Sequence, residues 1–154
     1  MEAVILCGVQ GSGKTTLYRD RFLDTHVRVS LDLLRTRARE AAFLAVCLDT
    51  RQRFVVDNTN ATAGERRRYV EPARAAGFTV IGYLVEVDAA EALTRNEERS
   101  GRARVPARGV VGTARRLIRP APEEGFDELW HATAAPGGGW RIEPLLVTPP
   151  LFGG

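Results

Sequence analysis

Lysine is nearly absent from this sequence of 154 residues: Lys14 is the single lysine among 22 basic residues, and the other 21 are arginine. Such a ratio is typical of a GC-rich genome, so the arginines by themselves indicate no function. The one ammonium is informative, because lysine supplies a compact point charge on a flexible stem. Guanine recognition through an Asn-Lys-x-Asp motif is excluded, because Lys14 belongs to a different motif.

Cysteine and long hydrophobic runs are also scarce. Cys7 and Cys47 lie in apolar surroundings without the spacing of metal ligands, which predicts buried free thiols in a reducing compartment. No apolar run approaches the roughly 18 residues of a membrane span, and a glycine-rich motif already begins at Gly8, which leaves little room for a signal peptide. We therefore expect a cytoplasmic protein with no membrane association and no obligate protein partner.

The composition is that of a globular domain, with 44% hydrophobic and 27% charged residues. A chain of 154 residues is long enough to bury a core without disulfides or a structural metal. No internal repeat is visible. We predict a single domain over residues 1–154 with one active site.

Short apolar runs alternate with helical segments along the chain. The predicted strands are residues 3–7, 26–30, 53–57 and 79–87, with candidate late strands at 128–133 and 140–147. The predicted helices are residues 14–23, 32–52, 62–76, 88–99 and 106–119. This order predicts an α/β fold with a parallel β-sheet flanked by helices on both faces, and a ligand site at the carboxyl ends of the strands.

The strongest motif lies at residues 8–15, which match G-x-x-x-x-G-K-[ST] between a predicted strand and a predicted helix. Its glycines let backbone N–H groups turn inward as an anion nest, and the helix N-terminus adds about half a positive charge. Lys14 can reach the β- and γ-phosphate oxygens of ATP, and the Thr15 hydroxyl can ligate Mg²⁺. The residues expected to bind ATP here are Gly8, Gly11, Ser12, Gly13, Lys14, Thr15 and Thr16.

The third predicted strand ends in Asp57, at the place where P-loop proteins carry an acidic residue. No glutamate follows it to activate water, as in motor ATPases, so a kinase that moves phosphate onto a bound hydroxyl fits better. We predict that Asp57 organises the magnesium shell or forms a hydrogen bond near Arg35. The alternative is that Asp57 is only a residue at the end of a strand that caps the next loop.

Five short motifs follow one another along the chain, at residues 8–15, 30–35, 55–60, 95–99 and 105–106, with related segments at 65–67 and 124–128. Together they resemble the kinase domain of bacteriophage and animal polynucleotide kinases over roughly residues 3–130. The resemblance implies a P-loop kinase fold with an arginine-bearing lid at about residues 95–106. It implies ATP-dependent, Mg²⁺-dependent phosphorylation of the 5′-hydroxyl end of DNA or RNA. The Asp-x-Asp motif of the phosphatase module that members often carry does not occur.

The resemblance also implies roles for individual residues. Asp32 would be the general base that takes the proton of the 5′-hydroxyl, and Arg35 would bind the phosphate next to that hydroxyl. Arg95 and Arg99 would belong to the lid that closes over ATP, and Arg99 would act in catalysis together with Lys14. Asp57, like Asp32 and Arg35, is a candidate for substrate binding. Asp57 is also, like Thr15, a candidate magnesium ligand.

The residues themselves support part of this assignment. Asp32 follows the second predicted strand at the edge that carries the phosphate loop, and an acceptor hydroxyl needs a carboxylate nearby. If residues 32–35 form a helical turn, Asp32 and Arg35 lie on one face. The alternative for Asp32 is a helix N-cap. Arg95 and Arg99 have i,i+4 spacing that suits a clamp on one polyphosphate, and a solvated helix face is their alternative.

Three functions follow from these patterns. The first is a polynucleotide 5′-hydroxyl kinase. The second is a related P-loop kinase for a small alcohol such as a sugar, a nucleoside or an antibiotic, and a basic groove leading away from Asp32 would argue against it. The third is a nucleotide-dependent binding module or switch, against which a positioned base at Asp32 argues.

Overall fold

The computed structural model of the protein describes residues 1–87, 116–135 and 137–145. The strands are β1 (Glu2–Cys7), β2 (Val27–Val29), β3 (Phe54–Asp57), β4 (Thr79–Val85), β5 (Glu128–Ala134) and β6 (Trp140–Pro144). The helices are α1 (Lys14–Arg21), α2 (Leu31–Leu34), α3 (Arg37–Thr50) and α4 (Ala63–Ala75), and a 3₁₀ turn spans Pro122–Glu124.

These strands form one sheet in the order β2-β3-β1-β4-β5-β6. The first five strands run parallel to one another, and β6 pairs antiparallel with β5. The carboxyl ends of β1, β2 and β3 therefore meet at one edge of the sheet, and the segments that follow these strands lie close together there. The predicted α/β class with a parallel sheet is confirmed, and the antiparallel edge strand is the departure from it.

The central strand β1 shows why helices cover both faces of the sheet. Its side chains alternate, so that Ala3, Ile5 and Cys7 pack into one buried cluster with side chains of α3 and α4. Val4 and Leu6 pack into a second cluster with side chains of α1. A strand that is apolar on both sides needs such a layer on each face. Both cysteines, Cys7 and the Cys47 thiol of α3, are buried and free, as expected.

The predicted helix over residues 32–52 is divided into α2 and α3. Arg35 ends α2 with a φ of 76°, a left-handed conformation that stops the helix. Thr36 then caps α3, and its side chain accepts a hydrogen bond from the Arg39 amide at 3.1 Å. The chain therefore turns between two helices at a point where the sequence pattern predicts a single continuous helix.

The remaining helix limits follow local signals. Thr62 caps α4 by accepting from the Glu65 amide, and Gly77 follows the helix with a φ of 82°, as its position at C′ predicts. α1 ends at Arg21, two residues before the predicted limit. Both late strands are present.

The predicted helix at 88–99 and the lid at 95–106 lie outside the described residues, and residues 117–119 are not helical. In the part of the chain that the structure describes, no helix has the length and apolar character of a membrane span.

Candidate functional site

The glycine-rich loop connects β1 to α1 and needs glycine for steric reasons. A Cβ on Gly8 would lie 2.5 Å from the Val85 carbonyl oxygen and 2.7 Å from the Ser12 Oγ, distances that side chains do not tolerate. Gly11 and Gly13 have φ angles of 81° and 102°, and Gly13 directly precedes the first turn of α1. The loop therefore wraps tightly around the start of an α-helix, which is the arrangement that binds phosphate.

Lys14 is the first residue of α1 and is buried, with 6% of its surface exposed. Its Nζ donates hydrogen bonds to the carbonyl oxygens of Gly8 at 2.9 Å and Val9 at 3.1 Å. These contacts hold the ammonium across the loop. A group bound in the loop would meet this charge in a site where little water screens it.

Thr15, Asp57 and Arg28 form the next part of the site. The Thr15 hydroxyl donates to the Asp57 Oδ2 at 2.8 Å, and Nε of Arg28 donates to the same oxygen at 2.8 Å. Asp57 therefore pairs with Arg28 of β2, and the expected hydrogen bond near Arg35 is not formed. Arg28 was not among the predicted site residues, although a charged residue in the centre of a short Val-Arg-Val strand was a usable signal. Parallel register places it beside Val55, so that Asp57 follows two positions later on the same face.

The donor set formed by Thr15 and Asp57 fits Mg²⁺. A hydroxyl and a carboxylate are the hard oxygen ligands that this ion prefers, and it usually keeps several waters and substrate phosphates as its other ligands. No group of three or more His, Cys, Asp or Glu side chains suited to a metal occurs among residues 1–87, 116–135 and 137–145. The arrangement therefore suits an ion held jointly by two side chains and a bound polyphosphate.

Asp32 lies on α2 and lines a pocket of about 210 Å³ at the carboxyl edge of the sheet. Ser30 is the N-cap of α2, since its hydroxyl accepts from the Asp32 amide at 3.2 Å. Asp32 is therefore not the N-cap, and its side chain is exposed rather than committed to the helix end. The other lining residues are Gln10, Lys14, Thr15, Leu31, Arg37, Asp57, Asn58, Thr59 and Asn60.

Arg35 does not take the expected position, and Arg37, for which nothing was predicted, lines the pocket. The helical turn that would bring Asp32 and Arg35 onto one face does not continue through Arg35, because its backbone is left-handed. Arg35 is exposed and does not line the pocket. Arg37, the first residue of α3, does line it. Arg37 was not among the predicted site residues, since its place in the pocket depends on the unpredicted turn between α2 and α3.

A buried polar network lies beside this pocket. Glu40 of α3 is 2% exposed, and its carboxylate accepts from the Tyr69 hydroxyl at 2.8 Å and from the Asn58 Nδ2 at 2.9 Å. Burial, together with the neighbouring Glu40 carboxylate, raises the pKa of Tyr69 from 10.0 to about 12. Asn58 also accepts from the backbone amide of Leu31 at 2.9 Å. The network thereby connects α3 and α4 to the first residue of α2.

The segment after β3 supports the glycine-rich loop from behind. The Thr59 carbonyl accepts from the Gly8 amide at 3.0 Å, and its hydroxyl accepts from Gln10 Nε2 at 2.9 Å. Asn60 donates to the Leu6 carbonyl at 2.7 Å. The element at residues 57–60 thus contributes to the site through Asp57 and Asn58 and braces the loop through Thr59 and Asn60.

The remaining predicted site residues lie either in the phosphate loop and α1 or outside the described residues. Thr16 is exposed on the first turn of α1 and does not line the pocket. Arg95 and Arg99 lie outside the described residues, so their assignment to a lid stays a prediction. Ser12 is buried within the loop.

Comparison with known proteins gives one family match and one curated relative. A family model described as an AAA domain (AAA_33) matches residues 4–120. The bifunctional polynucleotide phosphatase/kinase of Schizosaccharomyces pombe is 26% identical over 134 residues, which are 83% of this chain and 32% of that protein. The chain therefore spans about a third of the length of that relative.

Solved structures share the fold. Kti12 of Chaetomium thermophilum, determined in complex with ADP-AlF3, superposes with a TM-score of 0.66 at 17% identity, covering 85% of this chain and 88% of that one. A gluconokinase from Sinorhizobium meliloti 1021 gives a TM-score of 0.59 at 18% identity, with coverages of 88% and 84%. The chain belongs to the AAA domain family AAA_33, and its mostly parallel sheet with a phosphate loop after the first strand is the fold of P-loop kinases.

Proposed function

We propose that this protein transfers the γ-phosphoryl group of ATP to the 5′-hydroxyl end of DNA or RNA. The observation that carries the proposal is the pocket itself, in which the Asp32 carboxylate faces the same space as Lys14, Thr15 and Asp57. A phosphate-binding loop and an exposed carboxylate on one pocket are what a kinase for a hydroxyl acceptor needs. The Schizosaccharomyces pombe relative, a bifunctional polynucleotide phosphatase/kinase, supports the choice of acceptor.

On the donor side, the backbone amides of residues 8–15 and the N-terminus of α1 bind the polyphosphate. Lys14 leaves its carbonyl partners on Gly8 and Val9, or shares its protons with them, to contact the β- and γ-phosphate oxygens. Thr15 and Asp57 would hold Mg²⁺, and Arg28 keeps the Asp57 carboxylate in place. When bound, the ion neutralises charge on the phosphate oxygens.

On the acceptor side, Asp32 accepts the proton of the acceptor hydroxyl while the hydroxyl oxygen attacks the γ-phosphorus. The bond between this phosphorus and the β,γ-bridging oxygen breaks, and ADP leaves with the electron pair. The short helix α2 fixes Asp32 through two hydrogen bonds at its start, from the Asp32 amide to Ser30 and from the Leu31 amide to Asn58. A base held in this way needs little reorganisation during transfer.

The lid completes the proposal. Arg95 and Arg99 would close over ATP and stabilise charge that develops during transfer, as the resemblance to polynucleotide kinases implies. Their i,i+4 spacing is compatible with this role. A cytoplasmic location and a single domain over residues 1–154 also remain parts of this proposal.

A small alcohol is the second candidate acceptor. A pocket of about 210 Å³ could hold a sugar or a nucleoside without a following polymer. Which acceptor the protein uses therefore depends on contacts beyond the reacting hydroxyl.

The test is transfer of labelled γ-phosphate to a 5′-hydroxyl oligonucleotide, a nucleoside and gluconate. Asp32→Asn should reduce transfer by about 10²- to 10⁴-fold and leave ATP affinity unchanged, because the amide keeps the shape of the side chain without accepting a proton. Asp49→Asn is the matched control, since Asp49 is an exposed aspartate on α3 that does not line the pocket. Faster transfer to gluconate or to the nucleoside than to the oligonucleotide would reject the polynucleotide kinase hypothesis in favour of a kinase for a small alcohol.

A further inference from the structure

The carboxylate of Glu40 is surrounded by hydrogen-bond donors from α3, α4 and the loop after β3. Its Oε1 accepts from the Tyr69 hydroxyl at 2.8 Å and from Arg37 Nη1 at 2.9 Å, and its Oε2 accepts from Asn58 Nδ2 at 2.9 Å. Glu40 is buried, so these side chains take the place of water. Because a carboxylate carries no hydrogen, each of these neighbours has to present a donor to it.

This demand fixes the orientation of the Asn58 side-chain amide. Its Nδ2 faces Glu40 and also, at 3.0 Å, the oxygen of the Tyr69 hydroxyl, whose own hydrogen is directed to Glu40. Its Oδ1 lies on the other side and accepts from the Leu31 backbone amide at 2.9 Å. The reversed amide would set an oxygen against the carboxylate and a donor against the donor of Leu31. Glu40 therefore determines that an acceptor faces Leu31.

The helix α2 depends on this acceptor more than a longer helix would. It consists of the four residues Leu31–Leu34, and so short a helix is not stable through its own backbone hydrogen bonds. Within the part of the chain that the structure describes, none of its side chains is buried, and Leu34 is only partly covered by the core. Hydrogen bonds at the start of α2 therefore matter for the position of Asp32.

The two hydrogen bonds at the start of α2 act differently. Ser30, which accepts from the Asp32 amide, belongs to the same chain segment, so this cap moves together with the helix. Asn58 belongs to the loop after β3 and directly follows Asp57. Its bond to Leu31 therefore fixes the helix, and with it Asp32, relative to the opposite wall of the pocket.

We propose that Glu40 is a positioning residue for Asp32. By setting the orientation of the Asn58 amide, the buried carboxylate presents an acceptor to the first amide of α2 and holds the base against the phosphate loop. This inference rests on the proposed function, in which Asp32 takes the proton of the acceptor hydroxyl.

The first experiment exchanges the carboxylate for an amide of the same shape. In Glu40→Gln the amide oxygen takes the place of Oε1, where two donors meet, so the new NH₂ group faces Asn58. The Asn58 amide then reverses and Leu31 loses its acceptor. We expect kcat for transfer of labelled γ-phosphate to a 5′-hydroxyl oligonucleotide to fall about 10- to 100-fold, because a base displaced by about 1 Å loses rate on this order. KM for ATP should stay within a few-fold of wild type.

The matched control is Glu71→Gln, since Glu71 is an exposed glutamate on α4. It should keep the kcat of wild type. Wild-type kcat in Glu40→Gln, or an equal loss in Glu71→Gln, would overturn the proposal. If Glu40→Gln does not fold, Asn58→Ala replaces it, because this change removes the acceptor at Leu31 and leaves Glu40 with Arg37 and Tyr69. Asn58→Ala should show the same fall in kcat.

A double variant distinguishes positioning from general support of the fold. Asn58→Asp alone sets two carboxylates against each other and should also lower kcat. In Glu40→Gln combined with Asn58→Asp, the amide at position 40 donates to one oxygen of the carboxylate at position 58, and the other oxygen accepts from Leu31. The acceptor is thereby restored, and kcat should return to within a few-fold of wild type. A double variant no faster than the single ones would reject the positioning role.

Hydrogen exchange separates this inference from the proposed function. The Leu31 amide should exchange about 5- to 150-fold faster in Glu40→Gln than in wild type, and the double variant should restore the slow exchange. The amides of β1 serve as the reference for global stability. If wild type transfers phosphate to no hydroxyl acceptor, the proposed function fails, and exchange at Leu31 still decides whether Glu40 holds α2. An unchanged rate at Leu31 relative to β1 in Glu40→Gln would overturn the inference.

Discussion

At the scale of single residues, the site depends on groups that cannot be exchanged for chemically similar ones. Lys14 lies between two carbonyl oxygens, at 2.9 and 3.1 Å from its Nζ, in a buried space. A guanidinium is planar and larger than an ammonium, so it does not match this place. This steric demand explains why a chain with 21 arginines keeps one lysine here.

The corresponding prediction is that Lys14→Ala abolishes phosphoryl transfer, with a loss of at least about 10²- to 10³-fold in kcat, because a preorganised charge at the phosphate oxygens is removed. Lys14→Arg should be nearly as inactive. The control is Arg19→Ala, which removes an exposed cation from the same helix. Residual kcat of Lys14→Ala within a few-fold of wild type would contradict the role of Lys14.

At the scale of elements, the loop at residues 57–60 is held against the glycine-rich loop by α4. Arg66 of α4 is fully buried. It forms a bidentate salt bridge with the Glu124 carboxylate, through Nε at 2.7 Å and Nη2 at 2.9 Å. Its Nη1 donates to the Asn60 carbonyl at 2.8 Å. One guanidinium thus joins α4, the 3₁₀ turn before β5 and the loop behind the phosphate site.

Removing Arg66 should therefore destabilise the whole protein. Breaking a buried pair leaves an uncompensated carboxylate on Glu124, so Arg66→Ala should lower the free energy of unfolding by about 3–5 kcal/mol in urea titrations. Glu71 and Arg67 supply the comparison, since they form an exposed pair on the same helix at 3.7 Å. Arg67→Ala should cost only about 0–1 kcal/mol. Similar costs for the two variants would show that burial of the Arg66 pair does not matter.

At the scale of the whole molecule, buried neutral acids affect the pH dependence of stability. Complete burial raises the pKa of the Cys7 thiol from 9.0 to about 12, and the pKa of Tyr69 rises from 10.0 to about 12. Above the ordinary pKa values the unfolded chain releases these protons while the folded chain retains them. Stability from these groups is therefore complete below about pH 9 and falls as the pH rises toward 12.

We expect the free energy of unfolding, measured by urea titration at intervals from pH 8 to 11, to decline above about pH 9. In Cys7→Ala the decline between pH 9 and 10 should be shallower, because Cys47 is then the remaining thiol whose pKa burial raises from 9.0 among the described residues, and Tyr69 contributes only above its ordinary pKa of 10.0. The cavity left by the smaller side chain lowers stability at every pH and does not alter this slope. A wild-type slope in Cys7→Ala between pH 9 and 10 would show that the Cys7 thiol does not cause the effect.

Local signals in the sequence determined much of this protein. The apolar run before Gly8, the spacing of residues 8–15 and the cap residues Thr62 and Gly77 each act within a few neighbours, so the phosphate loop, α4 and the class of the sheet could be predicted. Asp57 was identified as the acidic residue that ends the third predicted strand, and Asp32 through the resemblance to polynucleotide kinases, which its place after the second predicted strand supports.

Tertiary structure decided which side chains meet. The pairing of Arg28 with Asp57 needs the register of β2 against β3, which no local pattern specifies. The entry of Arg37 into the pocket, in place of Arg35, depends on the left-handed turn between α2 and α3 and on the buried Glu40 network, whose members come from three separate elements. Apart from the bond between Arg37 and Glu40, these contacts join residues 11 to 32 positions apart in sequence, so only packing of the whole domain brings both partners together.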